Sequence, residues 1–312
     1  MSTTSGIALI EAPAFEKAPG GAPANVAVGL ARLGVKAGFI GKVGDDDFGH
    51  FLARVLCDNG VDTSQMRFDK TARTALAFVS LKEGGERDFM FYRHPSADML
   101  LRPEEVCPEY IAQARVLHYG SISLISQPSR NATLRAVNLA RKHGLMLSCD
   151  PNLRLPLWGD PQRAREGMKT AIGLADVVKV SEEELAFVTG LGMVEEGSQQ
   201  LLEGGAQLVA VSLGARGCYY ATRKARGHVT GCAIEPVDTT GAGDGFVAGM
   251  LAGLLDMLEC GQSVGDLSAT SLGEIFAFAN GVGALTTLKR GAIPALPTRS
   301  RVERFLQKVR CA

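Results

Sequence analysis

The sequence Asp-Thr-Thr-Gly-Ala-Gly-Asp-Gly-Phe occupies residues 238–246, and an apolar run at helical spacing follows from Val247 to Leu255. A Gly-x-Gly turn at the start of a helix leaves first-turn N–H groups unpaired beside the positive end of the helix dipole. Such a turn binds an anion, typically a phosphate. A carboxylate at Asp244 would repel that anion, unless it removes a proton from a hydroxyl during phosphoryl transfer. Gly-x-Gly alone is about equally typical of an ordinary helix-entry turn.

Composition narrows the class of protein. The chain has 312 residues, enough for one large core or a core with an appendage. Lys plus Arg and Asp plus Glu number 33 each, so no net charge attracts nucleic acid or an anionic membrane. No apolar run approaches the ~20 residues of a membrane span. The seven cysteines are scattered and never form C-x-x-C, which is typical of reduced intracellular thiols rather than a zinc site or disulfides.

The pattern along the chain predicts one α/β domain. Short, nearly all-apolar segments alternate with helical patterns, which indicates a mostly parallel sheet covered on both faces. Two pairs of segments, 74–81 with 87–93 and 218–222 with 227–232, predict antiparallel hairpins. The other strands are predicted at 37–41, 116–120, 146–150, 176–180 and 208–213. The helices are predicted at 48–59, 130–142, 161–174, 182–189, 246–258, 272–286 and 299–309.

A second motif allows a family to be recognised. Residues 20–27 read Gly-Gly-Ala-Pro-Ala-Asn-Val-Ala, far upstream of the 238–246 stretch. Together the two motifs resemble the signatures of the PfkB (ribokinase-like) family of sugar kinases, and the similarity runs from about residue 11 to residue 298. Segments 91–99, 118–123, 150–154 and 291–294 are most similar to plant-type fructokinases. The resemblance implies a ribokinase-like three-layer fold in one domain, residues 1–312, with lid strands around 11–22 and 73–98.

The resemblance also implies an active site. Gly241, Ala242 and Gly243 would bind the transferred phosphoryl group, and Asp244 would take the proton of the sugar hydroxyl. The sugar-binding positions would be Gly20, Gly21, Asn25, Arg93, Asp150, Asn152 and Arg154. From the residues alone, Arg93 is also typical of a solvent-facing edge of a sheet.

The resemblance also implies positions that bind the nucleotide and the cations. The ATP-binding positions would be Ser212, Gly214, Gly217 and Asn280, although residues 212–217 also fit a β-turn and Asn280 a buried structural side chain. Glu184 would organise Mg²⁺ through water, while Ser181 and Glu184 also form a capping-box pattern. Asp238 and Thr240 would help to bind a monovalent cation such as K⁺. Walker A and G-x-G-x-x-G patterns are both missing, which excludes a P-loop or a dinucleotide site of the usual kind.

These inferences predict an ATP-dependent fructokinase that forms D-fructose 6-phosphate and ADP. The alternatives are another PfkB sugar kinase, acting on 2-keto-3-deoxygluconate or ribose, and a catalytically weak scaffold, regulatory paralogue or truncated isoform. A small-molecule sugar is the expected partner, with a homodimer formed through the β lid, and neither nucleic acid nor membrane. Residues 1–6 lack the Arg-rich character of a transit peptide, so the cytoplasm is expected, and a plastid stays open if a segment precedes the chain.

One departure from the family keeps the last alternative open. Family members begin with a strand that runs into Gly-Glu-x-x-x-Asp, and that Asp binds two sugar hydroxyls. In this chain the first Asp is Asp45, and residues 1–10 do not resemble the strand. We therefore expect weak sugar phosphorylation and a less stable sheet.

Overall fold

The computed structural model describes residues 1–4, 6–81 and 87–310. The strands are β1 (Gly41–Gly44), β2 (Met66–Asp69), β3 (Leu76–Leu81), β4 (Arg87–Tyr92), β5 (Val116–Tyr119), β6 (Met146–Cys149), β7 (Val177–Ser181), β8 (Leu208–Ser212), β9 (Gly217–Ala221) and β10 (Arg226–Thr230). The helices are α1 (Ala22–Arg32), α2 (Asp47–Asp58), α3 (Pro108–Ile111), α4 (Ser129–Lys142), α5 (Leu155–Trp158), α6 (Pro161–Ile172), α7 (Glu182–Thr189), α8 (Val194–Glu203), α9 (Ala242–Glu259), α10 (Ala269–Thr286), α11 (Ala292–Ala295) and α12 (Arg299–Arg310).

A six-stranded mixed sheet forms the centre of the described chain, in the order β10-β9-β8-β7-β6-β5. Neighbouring strands from β5 to β8 are parallel, and β9 and β10 continue the sheet antiparallel. Successive side chains on a strand point to opposite faces. Val178 and Val180 therefore pack in one core with α4, α6, α7 and α8, whereas Val177 packs in another with α1, α9 and α10. The predicted three-layer α/β fold is confirmed.

The amino-terminal part differs from the prediction at two points. The strand expected at 37–41 lies later, at β1, and Gly38 makes only an isolated bridge to Asp62. No lid strand forms at 11–22: Phe15 makes one isolated bridge to Ser2, and α1 already begins at Ala22. The hairpin β3–β4 forms as predicted, while its connecting loop, residues 82–86, lies outside the described residues.

The sheet is interrupted between β1 and β5. Strands β1 and β2 form a parallel pair of their own, and in the described part of the chain no strand pairs with the second edge of β1 or with the outer edge of β5. A cavity of about 1940 Å³ lies there, bordered by residues 38–43 on one side and 116–120 on the other. Ligand pockets usually measure about 300–1,000 Å³, so this cavity of about 1940 Å³ is larger than a usual ligand pocket. Apolar side chains such as Leu33, Leu117 and Leu251 contribute to its walls.

In the described ranges, no helix is long and apolar enough to cross a membrane.

The open edges predict that an added strand stabilises the fold. Met1 borders the cavity, so a Val- and Ile-rich strand of about six residues joined ahead of it can reach both edges. We expect the melting temperature, measured by circular dichroism, to rise by several degrees, because backbone pairing and apolar burial both increase.

An extension of equal length made of Gly and Ser is the control and should leave the melting temperature unchanged. Equal melting temperatures for the two extensions would show that the cavity does not accept a strand.

Candidate active site

The start of helix α9 forms an anion-binding turn. Gly241 caps the helix with φ +81°, a left-handed conformation that favours glycine. A Cβ on Gly241 would also lie only 2.5 Å from the Cβ of Ala292, so a side chain does not fit there. Within the described ranges, the N–H groups of Gly243 and Asp244 have no hydrogen-bond acceptor. Two donors at the positive end of a helix can therefore bind one anion.

The loop before this turn is held by the buried carboxylate of Asp238. Its Oδ1 accepts hydrogen bonds from the N–H and the hydroxyl of Thr240, at 2.9 and 2.6 Å. Its Oδ2 accepts one from the N–H of Gly291, at 2.9 Å. Asp238 thus joins the α9 turn to the segment before α11, and both of its oxygens bind the backbone.

Asp244 lies in the first turn of α9 and is only 8% exposed. The side-chain amide of Asn25 donates to its Oδ2 at 2.7 Å, and that of Asn152 donates to its Oδ1 at 3.4 Å. Burial raises the pKa of Asp244 to about 6; the charge of Asp150 adds to this effect, while Asn25, Lys179 and Arg154 oppose it. A carboxylate with such a pKa can accept a proton near neutral pH.

Asp150 follows strand β6 and forms a buried ion pair with Lys179 of β7. Oδ2 of Asp150 lies 2.9 Å from Nζ of Lys179, and its Oδ1 accepts a hydrogen bond from the N–H of Asn152. Asn152 has φ +50°, and this turn brings its amide to Asp244. Lys179 did not emerge from the sequence analysis. A charged residue inside an otherwise apolar, buried strand is rare. That pattern in β7 could have indicated a functional role for Lys179.

The sugar-side candidates lie together around one cavity, the same cavity that separates β1 from β5. Arg93 is 7% exposed, so it is not a solvent-facing edge residue. Both Nε and Nη2 of Arg93 lie 2.7 Å from Oδ2 of Asp98. Arg154 donates to the carbonyl of Leu153. The predicted residues that border the cavity are Gly20, Gly21, Asn25, Arg93, Asp150, Asn152, Arg154, Thr240, Gly241 and Asp244.

Glu184 forms the predicted capping box of α7. Its Oε2 accepts from the N–H of Ser181, and the hydroxyl of Ser181 accepts from the N–H of Glu184. Its Oε1 accepts from the N–H of Leu153 at 2.6 Å. Glu184 therefore ties the start of α7 to the chain just after Asn152, beside the Asp150–Lys179 pair.

The nucleotide candidates do not border this cavity. The hydroxyl of Ser212 lies 3.4 Å from the carbonyl of Val180, and Gly214 and Gly217 flank the turn between β8 and β9. The amide of Asn280 donates to the carbonyls of Val229 and Thr230, which favours the structural interpretation of this residue. Across the described residues, no group of three or more His, Cys, Asp or Glu side chains could hold a metal ion.

A helix start that can bind an anion lies beside the buried carboxylate of Asp244, and together with the three-layer α/β fold this is the arrangement expected of a small-molecule kinase. The comparisons agree with this class. A family model described as pfkB family carbohydrate kinase matches residues 3–299, and the chain belongs to this family.

Relatives with known names are similar over nearly the whole chain. Fructokinase-2 of Solanum lycopersicum is 50% identical over 306 residues, which are 98% of this chain and 92% of that protein. The crystal structure of a Vibrio cholerae fructokinase, in fructose, ADP and calcium ion bound form, has a TM-score of 0.84 at 42% identity, over 94% of this chain and 93% of that one. Aminoimidazole riboside kinase from Salmonella enterica, complexed with aminoimidazole riboside and an ATP analog, has a TM-score of 0.82 at 34% identity, over 94% of each chain. The predicted ribokinase-like fold is confirmed.

The contact between Asn25 and Asp244 makes a direct prediction. The Asn25 amide stabilises the ionised form of Asp244, so Asn25→Ala should raise the pKa of Asp244 above its value of about 6. Carbon-13 NMR of the carboxyl group, followed against pH, measures this shift. Asn131→Ala, on the exposed side of α4, is the control. An unchanged or lower pKa in Asn25→Ala would contradict the interpretation.

Proposed function

We propose that this chain is an ATP-dependent fructokinase, which transfers the γ-phosphoryl group of ATP to D-fructose and forms D-fructose 6-phosphate and ADP. The observation that carries the proposal is the hydrogen bond between Asn25 and Asp244. It joins the Gly20–Ala27 motif to the turn of α9, and so supports a sugar site next to a general base and an anion site. The similarity to fructokinases over nearly the whole chain supports fructose as the substrate.

The geometry supports an in-line transfer with Asp244 as general base. A sugar hydroxyl next to Asp244 gives up its proton to the carboxylate as its oxygen forms a bond to the γ-phosphorus. The bond from that phosphorus to the bridging oxygen breaks, and the electron pair leaves with ADP. The N–H groups of Gly243 and Asp244 stabilise the charge on the transferred group. The proton remains on Asp244 until product is released.

The sugar would lie in the part of the cavity next to Asn25. The Oδ1 atom of Asn25 is buried and has no hydrogen-bond partner in the described part of the chain, so a sugar hydroxyl can donate to it. Backbone without side chains at Gly20 and Gly21 allows close approach of a polyol. The guanidinium of Arg93, held by Asp98, would face the sugar from the lid side.

ATP would approach the turn of α9 from the side of Ser212, Gly214 and Gly217, with Asn280 beneath. Mg²⁺ keeps several waters and needs few protein ligands, so the carboxylate of Glu184 fits a water-mediated role although both its oxygens already bind N–H groups. When bound, Mg²⁺ supplies charge neutralisation between phosphates. By resemblance to the family, Asp238 and Thr240 would help to bind a monovalent cation such as K⁺.

We also propose that the protein is cytoplasmic and forms a homodimer through its lid. Tyr92 and Met90 on β4 are 58% and 43% exposed, which leaves apolar surface on the hairpin for a second copy.

Replacing the base should abolish most turnover. Asp244→Asn keeps the size of the side chain, so ATP and sugar affinities should stay within a few-fold while kcat falls about 10²–10⁴-fold, the usual contribution of a general base. In the wild type, kcat/KM should fall as the pH drops below about 6, because Asp244 then binds a proton. A coupled ADP-release assay measures both. Near-normal turnover in Asp244→Asn would rule out the base.

Fructose should be the preferred sugar. With Mg-ATP, its kcat/KM should exceed the values for ribose, glucose, 2-keto-3-deoxygluconate and aminoimidazole riboside in the same coupled assay. The identity of 50% to a fructokinase motivates this order. A higher value for any other acceptor would overturn the substrate while leaving the kinase activity in place. No turnover of any acceptor would favour the regulatory alternative.

A further inference from the structure

The ammonium of Lys179 lies directly beside Gly243, in the anion-binding turn at the start of α9. The side chain of Lys179 is only 7% exposed. A Cβ added to Gly243 would lie 3.2 Å from Nζ of Lys179, which is the contact it would make outside its own helix turn. The ammonium is thus packed against the bare backbone of the turn whose N–H groups bind the anion.

The surroundings keep Lys179 charged. Burial alone would lower its pKa, but the carboxylates of Asp150, Glu184 and Asp244 more than compensate, so the pKa is raised. His118, on the neighbouring part of the sheet, has its pKa lowered to about 4 by burial and by Lys179, so it adds no positive charge at neutral pH. The ammonium of Lys179 is therefore a buried positive charge among the carboxylates of Asp150, Glu184 and Asp244.

We propose that Lys179 is a catalytic residue, whose ammonium donates a hydrogen bond to an equatorial oxygen of the phosphoryl group during its transfer. The proposal rests on the proposed function of the same site. An ammonium has three donors, so Lys179 can keep its contact with Asp150 while it binds the phosphoryl group. It takes up and releases no proton in this step.

The position of the ammonium favours this role over simple neutralisation of Asp150. An incoming phosphoryl group meets the negative charges of Asp150 and Asp244, which the two N–H groups and the more distant charge of Arg154 oppose. The charge of Lys179 next to Gly243 further reduces that repulsion. A methyl group at residue 243 would lie 3.2 Å from Nζ, so the ammonium would have to shift.

Substitution of Lys179 tests the proposal by turnover. Lys179→Met should lower kcat about 10²–10³-fold, as loss of one oxyanion donor does, with a KM for ATP within a few-fold of wild type. Lys179→Arg keeps a charge and should recover part of the loss. Lys224→Met is the control, because Lys224 also forms an ion pair, with Asp266, but does not border the cavity. It should leave kcat near wild type.

A double substitution separates the two roles. If Lys179 only neutralises Asp150, then Lys179→Met should cause no further loss of kcat in an Asp150→Asn background. If Lys179 binds the phosphoryl group, the loss should persist in that background at about the same size. The disappearance of the loss would overturn the proposal.

A binding measurement decides the matter without any sugar turnover. Aluminium fluoride with Mg-ADP mimics a phosphoryl group in transfer, and calorimetry gives its affinity. Lys179→Met, or Lys179→Gln should the first variant fail to fold, should weaken ADP with aluminium fluoride at least tenfold and leave ADP alone unchanged. Equal weakening of both, or of neither, would overturn the proposal. A wild type that phosphorylates no acceptor would refute the proposed function, and this assay would still decide the role of Lys179.

Discussion

The close packing of α1 against α9 is the constraint on which the site depends. A Cβ on Gly29 of α1 would lie 2.6 Å from the Cβ of Ala248, so no side chain fits at Gly29 and α1 packs closely against α9. This approach brings Asn25, near the start of α1, to Asp244, near the start of α9. Small residues in the core therefore set the distance between the Gly20–Ala27 motif and Asp244, the proposed base.

Two buried carboxylates lie close to the contact between α1 and α9, and their mutual repulsion destabilises the fold. Asp150 and Asp244 are both buried, and among the residues that the structure describes only Asp150 forms an ion pair, with Lys179. A buried carboxylate without a cation of its own costs stability, and proteins retain such groups mainly where chemistry needs them. The cost is moderated by the two asparagine amides that donate to Asp244. Together, burial and these amides leave the pKa of Asp244 at about 6, where the carboxyl group can exchange a proton near neutral pH.

The periodicity of the sequence predicted the strands from β5 to β8, because buried parallel strands are almost wholly apolar, and the helices α4, α6, α7, α9 and α10 beside them. It missed α8, the short strand β2, and α1, whose Gly- and Ala-rich sequence lacks a clear polar face. The motifs predicted Asp244 and Asn25 separately. Their contact joins residues 219 positions apart, which no local spacing can reveal. The same holds for the contact of Lys179 with Asp150, which lies just after the neighbouring strand β6.

The interruption between β1 and β5 has a consequence for how the protein behaves in concentrated solution. Unpaired strand edges are templates for association between chains, and proteins commonly protect them. Here both edges border the same cavity, which α1 and α9 also line. A ligand that bridges the Gly20–Ala27 motif and the α9 turn stabilises the native state, so it should suppress association through these edges.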